Sequence, residues 1–362
     1  MKLLVIGPWS SGHIQQWIKL FKDSYSVTVI TLHPERPKDE AVKFISLPTY
    51  TGTRLDFLIN IPKLRSIVAS INPDLIHVHF LSSYGIMASF IPQRYKKILS
   101  IWGTDVNGKI QENPVLRKLA SNALKTYDFI NLPAKHFSEK LNKICKIDHS
   151  KIFVFQYGVD TNILPRAKMY PRENDILKLA SIRNWAMLYH IDDLLKGYRH
   201  YCDENHKKKS CLYLFGNGSP QDISRVNALV KQLSFPEGSI KVVGFIDRNS
   251  LFEKLKEMDI VISIPDKDGA PLSLMESIYI GIYPIVSDLE ANREWLDNDC
   301  ATFINDYSSN AISTAIYHAE REIKNPMIND SIKKSRNKVI IEGDYVTNME
   351  ATKEIYKRIH SS

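Results

Sequence analysis

Short aliphatic, β-branched runs alternate with helix-length segments along this chain, and the whole alternation starts twice. Residues 2–7 (KLLVIG), 27–32 (VTVITL), 74–80 (DLIHVHF), 97–103 (KILSIWG), 129–133 (FINLP) and 151–158 (KIFVFQYG) read as strands. Between them, 14–23 and 55–71 place apolar residues at helical spacing. A strand that returns parallel to its predecessor needs a long crossover, usually a helix, so the pattern predicts a parallel sheet with helices on both faces. The stretch LPRAKMYPREND (164–175) interrupts the series. A second one follows at 178–182, 211–216, 240–245, 259–265 and 283–288. The expected fold class is α/β, with two doubly wound, Rossmann-like units joined near residue 165. We place the first at 1–165 and the second at 166–342. The segment 343–362 contains an amphipathic helix that neither unit obviously needs.

The 362 residues, 44% apolar and 24% charged, suffice for two domains with real cores. No apolar run is long enough to span a bilayer, and the apolar start before Gly7 and Pro8 is too short for a signal-peptide core. Cys145, Cys202, Cys211 and Cys300 lack paired or metal-type spacing, which fits a reducing cytoplasm. The net charge of +8 is unevenly distributed: residues 1–165 hold 21 Lys and Arg against 12 Asp and Glu, and the remainder 27 against 28. The basic half suits an anionic membrane surface, an acidic substrate or simple solvation. Its charges lack the interleaved exposed aromatics of a nucleic-acid binder, so none is expected as a partner.

Ligands of doubly wound units bind at the carboxyl ends of strands, which makes the cleft between the two units the expected site. Gly7 to His13 follow the first strand and open a helix, where small residues let backbone amides approach a ligand. An ordinary turn would read the same. The run lacks both the dinucleotide and the P-loop glycine spacings. FGNGSP (215–220) is a weaker turn of similar type. Arg183, at the end of the strand 178–182, can meet phosphate oxygens with paired donors. The run DKDGAPLSLMESIYIG (266–281) reads as a loop that delivers the free amides of Ala270 to Ser273 at a helix start, which favours negative charge. Glu276 lies one turn into that helix, where a carboxylate can accept two ribose hydroxyls. His77 and His79 share a face of one strand; without a third ligand we read them as packing or hydrogen-bonding groups rather than a metal site.

The run Asp268-Gly269-Ala270-Pro271-Leu272-Ser273-Leu274-Met275-Glu276, with Gly281, Pro284, Ile285 and Val286, resembles the Glu-x7-Glu region of glycosyltransferase family 4, which has the GT-B fold. Gly158-Val159-Asp160, Arg183, Phe215-Gly216-Asn217-Gly218 and Val243-Gly244-Phe245 also match it. Ser11-Gly12-His13 and Gly103-Thr104-Asp105 match less specific turns. By this resemblance, Glu276 would hold the donor ribose, Gly269 to Leu272 the phosphate and sugar, and Arg183 the phosphate. Phe245 and Ile246 would flank the base, with Gly216, Asn217 and Ser273 also at the donor. Ser11, Gly12, His13, Trp102, Gly103 and Asp105 would line the acceptor side on the first unit, and the C-terminal helix would cross back onto that unit. Three departures stand out: Asp268 replaces the usual glutamate, no lysine follows Arg183 within Asn184 to Tyr189, and Trp102 stands where relatives often have histidine.

The resemblance implies a retaining, metal-independent transfer from a nucleotide-sugar to a hydroxyl of a glycan or lipid-linked acceptor, with no cofactor. Arg183, Asp268, Glu276, His13 and Asp105 are the expected catalytic residues. The setting it suggests is bacterial surface polysaccharide synthesis (lipopolysaccharide or capsule), in the cytoplasm and peripheral to the inner face of the plasma membrane. Two other readings remain open: a nucleotide-sugar 2-epimerase-like isomerase, and a non-catalytic nucleotide-sugar-binding partner subunit.

Overall fold

A computed structural model of the 362-residue chain describes residues 1–19, 21–32, 42–106, 108–167, 169–172, 176–204 and 209–361; the side chains of His13, Thr104, Lys109 and Ser361 fall outside the description. The chain divides into two compact units, one formed by Met1–Tyr157 with the segment from Tyr345 onward, the other by Gly158–Asp344.

The first unit holds seven parallel strands: β1 (Lys2–Ile6), β2 (Ser26–Thr31), β3 (Lys43–Ser46), β4 (Leu75–His79), β5 (Lys97–Ser100), β6 (Phe129–Leu132) and β7 (Ile152–Val154), in the order 3-2-1-4-5-6-7. β1, β2 and β4 are buried almost throughout, which is why they read as continuous apolar runs rather than alternating ones. The predicted helix over 55–71 is two helices, Leu55–Ile59 and Ile61–Ile71. Asn60 sits at the break and donates its side-chain amide to the carbonyls of Pro48 and Asp56 at 2.9 and 2.8 Å.

The helix Tyr345–Ser361 packs within this unit. Tyr345 donates its hydroxyl to the Gln16 carbonyl at 2.9 Å. Tyr356 is buried, stacks on Phe21 and accepts the Trp17 indole N–H at 3.0 Å. Its hydroxyl also bonds His77 Nδ1, while His77 Nε2 reaches Ser100 Oγ at 2.7 Å. Burial pushes the His77 pKa well down, with His79 adding to the effect.

The second unit is a six-stranded parallel sheet: β8 (Leu177–Ser181), β9 (Ser210–Phe215), β10 (Ile240–Gly244), β11 (Ile260–Ser263), β12 (Tyr283–Ser287) and β13 (Thr302–Ile304), in the order 10-9-8-11-12-13. Chain order reverses between β8 and β11, and the crevice beyond such a switch point is where open α/β sheets take ligands.

The helix Leu272–Ile280 follows β11 and is buried along most of its length. Gly281 ends it at φ 95°, and a side chain there would collide with Arg336. Arginines then hold the carbonyl end: Arg336 donates to the carbonyls of Tyr279 and Ile280 at 2.7 and 3.2 Å, and Arg172 to that of Gly281 at 3.0 Å. Cations at this end complement the helix dipole.

The predicted α/β class with two parallel, doubly wound sheets is the observed one. The strands β3 and β13 have no counterpart in the sequence reading.

Candidate functional site

Arg183 follows β8 and the loop 265–271 follows β11, so the switch point of the second sheet brings them together. The guanidinium is largely buried. It donates to Asp268 Oδ2 at 2.7 Å and to Ser273 Oγ at 3.1 Å, and it lies over the Tyr189 ring at 4.6 Å. Asp268 also accepts the Gly269 amide at 2.8 Å. Arg183 and the run Asp268 to Ser273, chosen separately from the sequence, are therefore brought together. The shortened acid at 268 faces the arginine directly.

The helix start differs in detail from the expectation. Pro271 has no N–H to offer, and the Leu272 amide closes a turn onto the Ala270 carbonyl at 2.9 Å. The amides of Ala270 and Ser273 form no hydrogen bond among the described residues.

Glu276 is buried, and burial pushes its pKa up while Arg248 opposes the shift. Arg248 Nη2 bonds Glu276 Oε1, and the guanidinium is half exposed. Sequence reading missed Arg248. Its signal was weak: a basic residue directly after the turn Gly244 to Asp247, with its acidic partner 28 positions away. Phe245, in that turn, is 78% exposed, an uncommon place for a large aromatic, and Ile246 is half-buried.

Gly216 explains how β9 approaches Arg183. It adopts φ 111°, and a Cβ there would lie 2.3 Å from the Arg183 carbonyl oxygen. Next to it, the Asn217 carbonyl accepts the Trp185 amide at 2.8 Å. The turn 215–218 is thus built to pack against the Arg183 loop; the Asn217 main chain is engaged there.

In the first unit, the turns after β1, β4 and β5 carry the other candidates. Ser11 donates its amide to the Pro8 carbonyl at 3.0 Å, and Gly12 opens the helix Gly12–Lys19 with open space where a Cβ would stand. His13 occupies the first turn of that helix, but its side chain lies outside the described residues. Gly103 opens the short helix Gly103–Val106. Asp105 is buried and accepts the amides of Ser82 and Trp102, each at 3.0 Å. Burial raises its pKa and these bonds lower it, for a net rise. Its carboxylate thus joins two loops. Trp102 is buried in an aromatic cluster with His79, Phe80, Trp17 and Tyr157.

Among the described residues, no group of three or more His, Cys, Asp or Glu is placed to hold a metal ion. No helix among them is long and apolar enough to cross a membrane.

The profile of a family described as Glycosyl transferase 4-like matches residues 2–131. The match lies within the first unit and covers about a third of the chain. The GT-B architecture extends over its full length. The chain is similar to the sucrose-phosphate synthase of Thermosynechococcus elongatus, at TM-score 0.76 and 13% identity, over 100% of this chain and 99% of that one. It is similar to HepE of Anabaena in complex with UDP and glucose, at TM-score 0.76 and 13% identity, over 99% of each chain. It is also similar to the lipopolysaccharide outer core galactosyltransferase WaaB, at TM-score 0.67 and 15% identity, over 94% of this chain and 99% of that one. At such identities the likeness is one of fold. A search of curated protein sequences returned no match.

Proposed function

We propose that this protein is a glycosyltransferase that moves a sugar, with retention and without a metal ion, from a nucleotide-activated donor to a hydroxyl of a glycan or lipid-linked acceptor. The donor nucleotide sits on the second unit and the acceptor on the basic first unit. The observation that carries this reading is Arg183 fixed by Asp268 and Ser273 at the head of the helix Leu272–Ile280, one turn from the buried carboxylate of Glu276. A guanidinium and a helix N-terminus favour phosphate, and the carboxylate suits the paired hydroxyls of a ribose. The exposed Phe245, three residues before Arg248 in the chain, offers a face for a base. The complex of HepE with UDP and glucose supports a nucleotide-sugar donor by similarity of fold.

In the transfer, Arg183 and the helix start stabilise the charge of the departing phosphate. Holding donor and hydroxyl in line does the rest. The phosphate itself guides the incoming hydroxyl, since no side chain is assigned as nucleophile. The setting is synthesis of a bacterial surface polysaccharide at the inner face of the plasma membrane.

Calorimetric titration with UDP, GDP, ADP, CMP and TDP tests the donor site. One nucleotide should bind clearly better than the others, equally well in EDTA, and should lose that affinity in Glu276→Ala. If none binds to the folded protein, the donor reading is wrong.

A further inference from the structure

His190 precedes the helix Ile191–Glu204 and adopts left-handed backbone at φ 52°. Its ring stacks on Tyr307 at 4.0 Å. Both ring nitrogens meet carboxylates: Nδ1 lies 2.8 Å from Asp193 Oδ2, and Nε2 lies 2.7 Å from Asp266 Oδ1. An ionised carboxylate only accepts hydrogen bonds, and a neutral imidazole has a single N–H to donate. Two such bonds at once therefore call for the imidazolium.

The groups facing the ring come from three elements. Asp193 lies on the following helix and has Lys196 at 3.9 Å; Asp266 comes from the loop after β11. Tyr307, after β13, turns its hydroxyl away to Pro265 O and Ser287 Oγ, at 3.4 and 3.1 Å. Burial disfavours the charged ring and the two carboxylates favour it, with a net rise of the pKa above 6.5.

The position of this bridge matters more than its strength. Residues 183–190 and 266–273 run side by side and are joined at three levels. Arg183 bonds Asp268 and Ser273, the Asp266 amide donates to the Leu188 carbonyl at 3.0 Å, and His190 bonds the Asp266 side chain. Tyr189, the neighbour of His190, lies beneath the Arg183 guanidinium.

We propose that His190 is a positioning residue of the donor site: as an imidazolium it ties the loop after β11 to the loop after β8, and so sets the spacing at which Arg183 and the helix start meet an anionic donor. This rests on the donor reading above. Deprotonation leaves one carboxylate against a lone pair and releases one side of the tie. The group's folded pKa is raised, so the tie is complete below the ordinary pKa of 6.5 and is lost as pH rises through the folded value. Donor affinity falls with it.

The test measures the Kd of UDP and of inorganic pyrophosphate from pH 6 to pH 9, for wild type and His190→Asn. Asparagine tolerates the left-handed backbone, and comparing two proteins cancels the ligand's own ionisation. Across that range the wild type should lose about tenfold more affinity than the variant. The His190 ring, followed by NMR, should titrate above 6.5, and lower in Asp266→Asn. The amides of Gly269 and Ser273 should shift with the same midpoint. Parallel pH profiles in the two proteins, or a ring that titrates at or below 6.5, would overturn the proposal. If neither probe binds at any pH, the donor reading fails. The tie then stands if the Gly269 and Ser273 signals follow the ring, and falls with that reading if they do not.

Discussion

The Arg183 guanidinium and the Asp268 carboxylate meet at 2.7 Å, both largely enclosed, across 85 residues of sequence. The arginine proposed to bind the donor phosphate is thus paired within the protein, and on that reading a phosphate shares it with Asp268. Removing Arg183 leaves Asp268 enclosed and unpaired, so Arg183→Ala should weaken nucleotide binding by at least about 2 kcal/mol, roughly 30-fold in Kd. Asp268→Asn removes the competing charge and should tighten binding about threefold. Weaker nucleotide binding by Asp268→Asn would show instead that the acid holds Arg183 in a productive pose.

Glu276 gives the acid side of the pH dependence. Its folded pKa is raised by burial despite Arg248. Protonation therefore becomes favourable in the folded protein above the ordinary 4.5, and removes an acceptor for ribose hydroxyls. Nucleotide affinity should fall on acidification with a midpoint above 4.5. Arg248→Met should move that midpoint further up, because it removes the opposing charge. Affinity measurements between pH 4 and pH 7 on both proteins decide the matter, and coincident midpoints would rule out the link to Arg248.

Tyr356 anchors the last helix through Trp17 and His77. Tyr356→Phe keeps the ring but leaves two buried groups short of a bond, which should cost about 1–3 kcal/mol. His77 also sets a pH effect. Its folded pKa is depressed, so below about 6.5 the unfolded chain binds a proton that the folded one refuses. Stability of the first unit should therefore decline as pH falls below that value. Urea unfolding at several pH values, followed at the Trp17 indole signal, should show the decline in wild type and a shallower one in His77→Gln.

Gly216→Ala tests the approach of β9 to Arg183. The added methyl meets a backbone carbonyl rather than a movable side chain, and the backbone angle is one that alanine resists. Destabilisation of about 1–3 kcal/mol is expected, together with weaker nucleotide binding. An unchanged unfolding midpoint would mean that the loop moves freely.

The proposed membrane setting would use a surface of the first unit. Tyr50, Leu55, Leu58 and Ile59 are exposed large apolar residues, beside exposed Arg54, Lys63 and Arg65. Exposed apolar side chains with cations close by in the sequence suit an anionic bilayer surface. Vesicles containing anionic lipid should carry the protein in flotation, and the double change Leu58→Glu with Ile59→Glu should reduce this about tenfold. Equal recovery with neutral and anionic vesicles would remove the electrostatic part of the idea.

The strands most legible in the sequence are those whose residues are buried on both faces, such as β4 and β12, because burial writes a continuous apolar run. β3 and β13 are edge strands of four and three residues, too short and too polar to leave that mark. The proximity of Arg183 to the run Asp268–Ser273 was legible because each follows a strand of the second sheet and lies in a turn with its own local pattern. Arg248 and His190 could not be found, since their roles come from partners brought close only by the sheet. The engagement of Asp105 with Ser82 and Trp102 was hidden for the same reason.

The arginines that grip the far end of the helix Leu272–Ile280 have a practical consequence. A helix fastened at one end by its carbonyls and buried along its length is a fixed mount. In the six residues before it (266–271), Asp266 and Asp268 are held by His190 and Arg183, while the Lys267 side chain is exposed and Gly269 and Ala270 are small. On the proposed donor reading, changes at Lys267, Gly269 or Ala270 should alter which sugar is accepted while Glu276 and the amide of Ser273 keep their places. Those three positions are where a library for new donor sugars should begin.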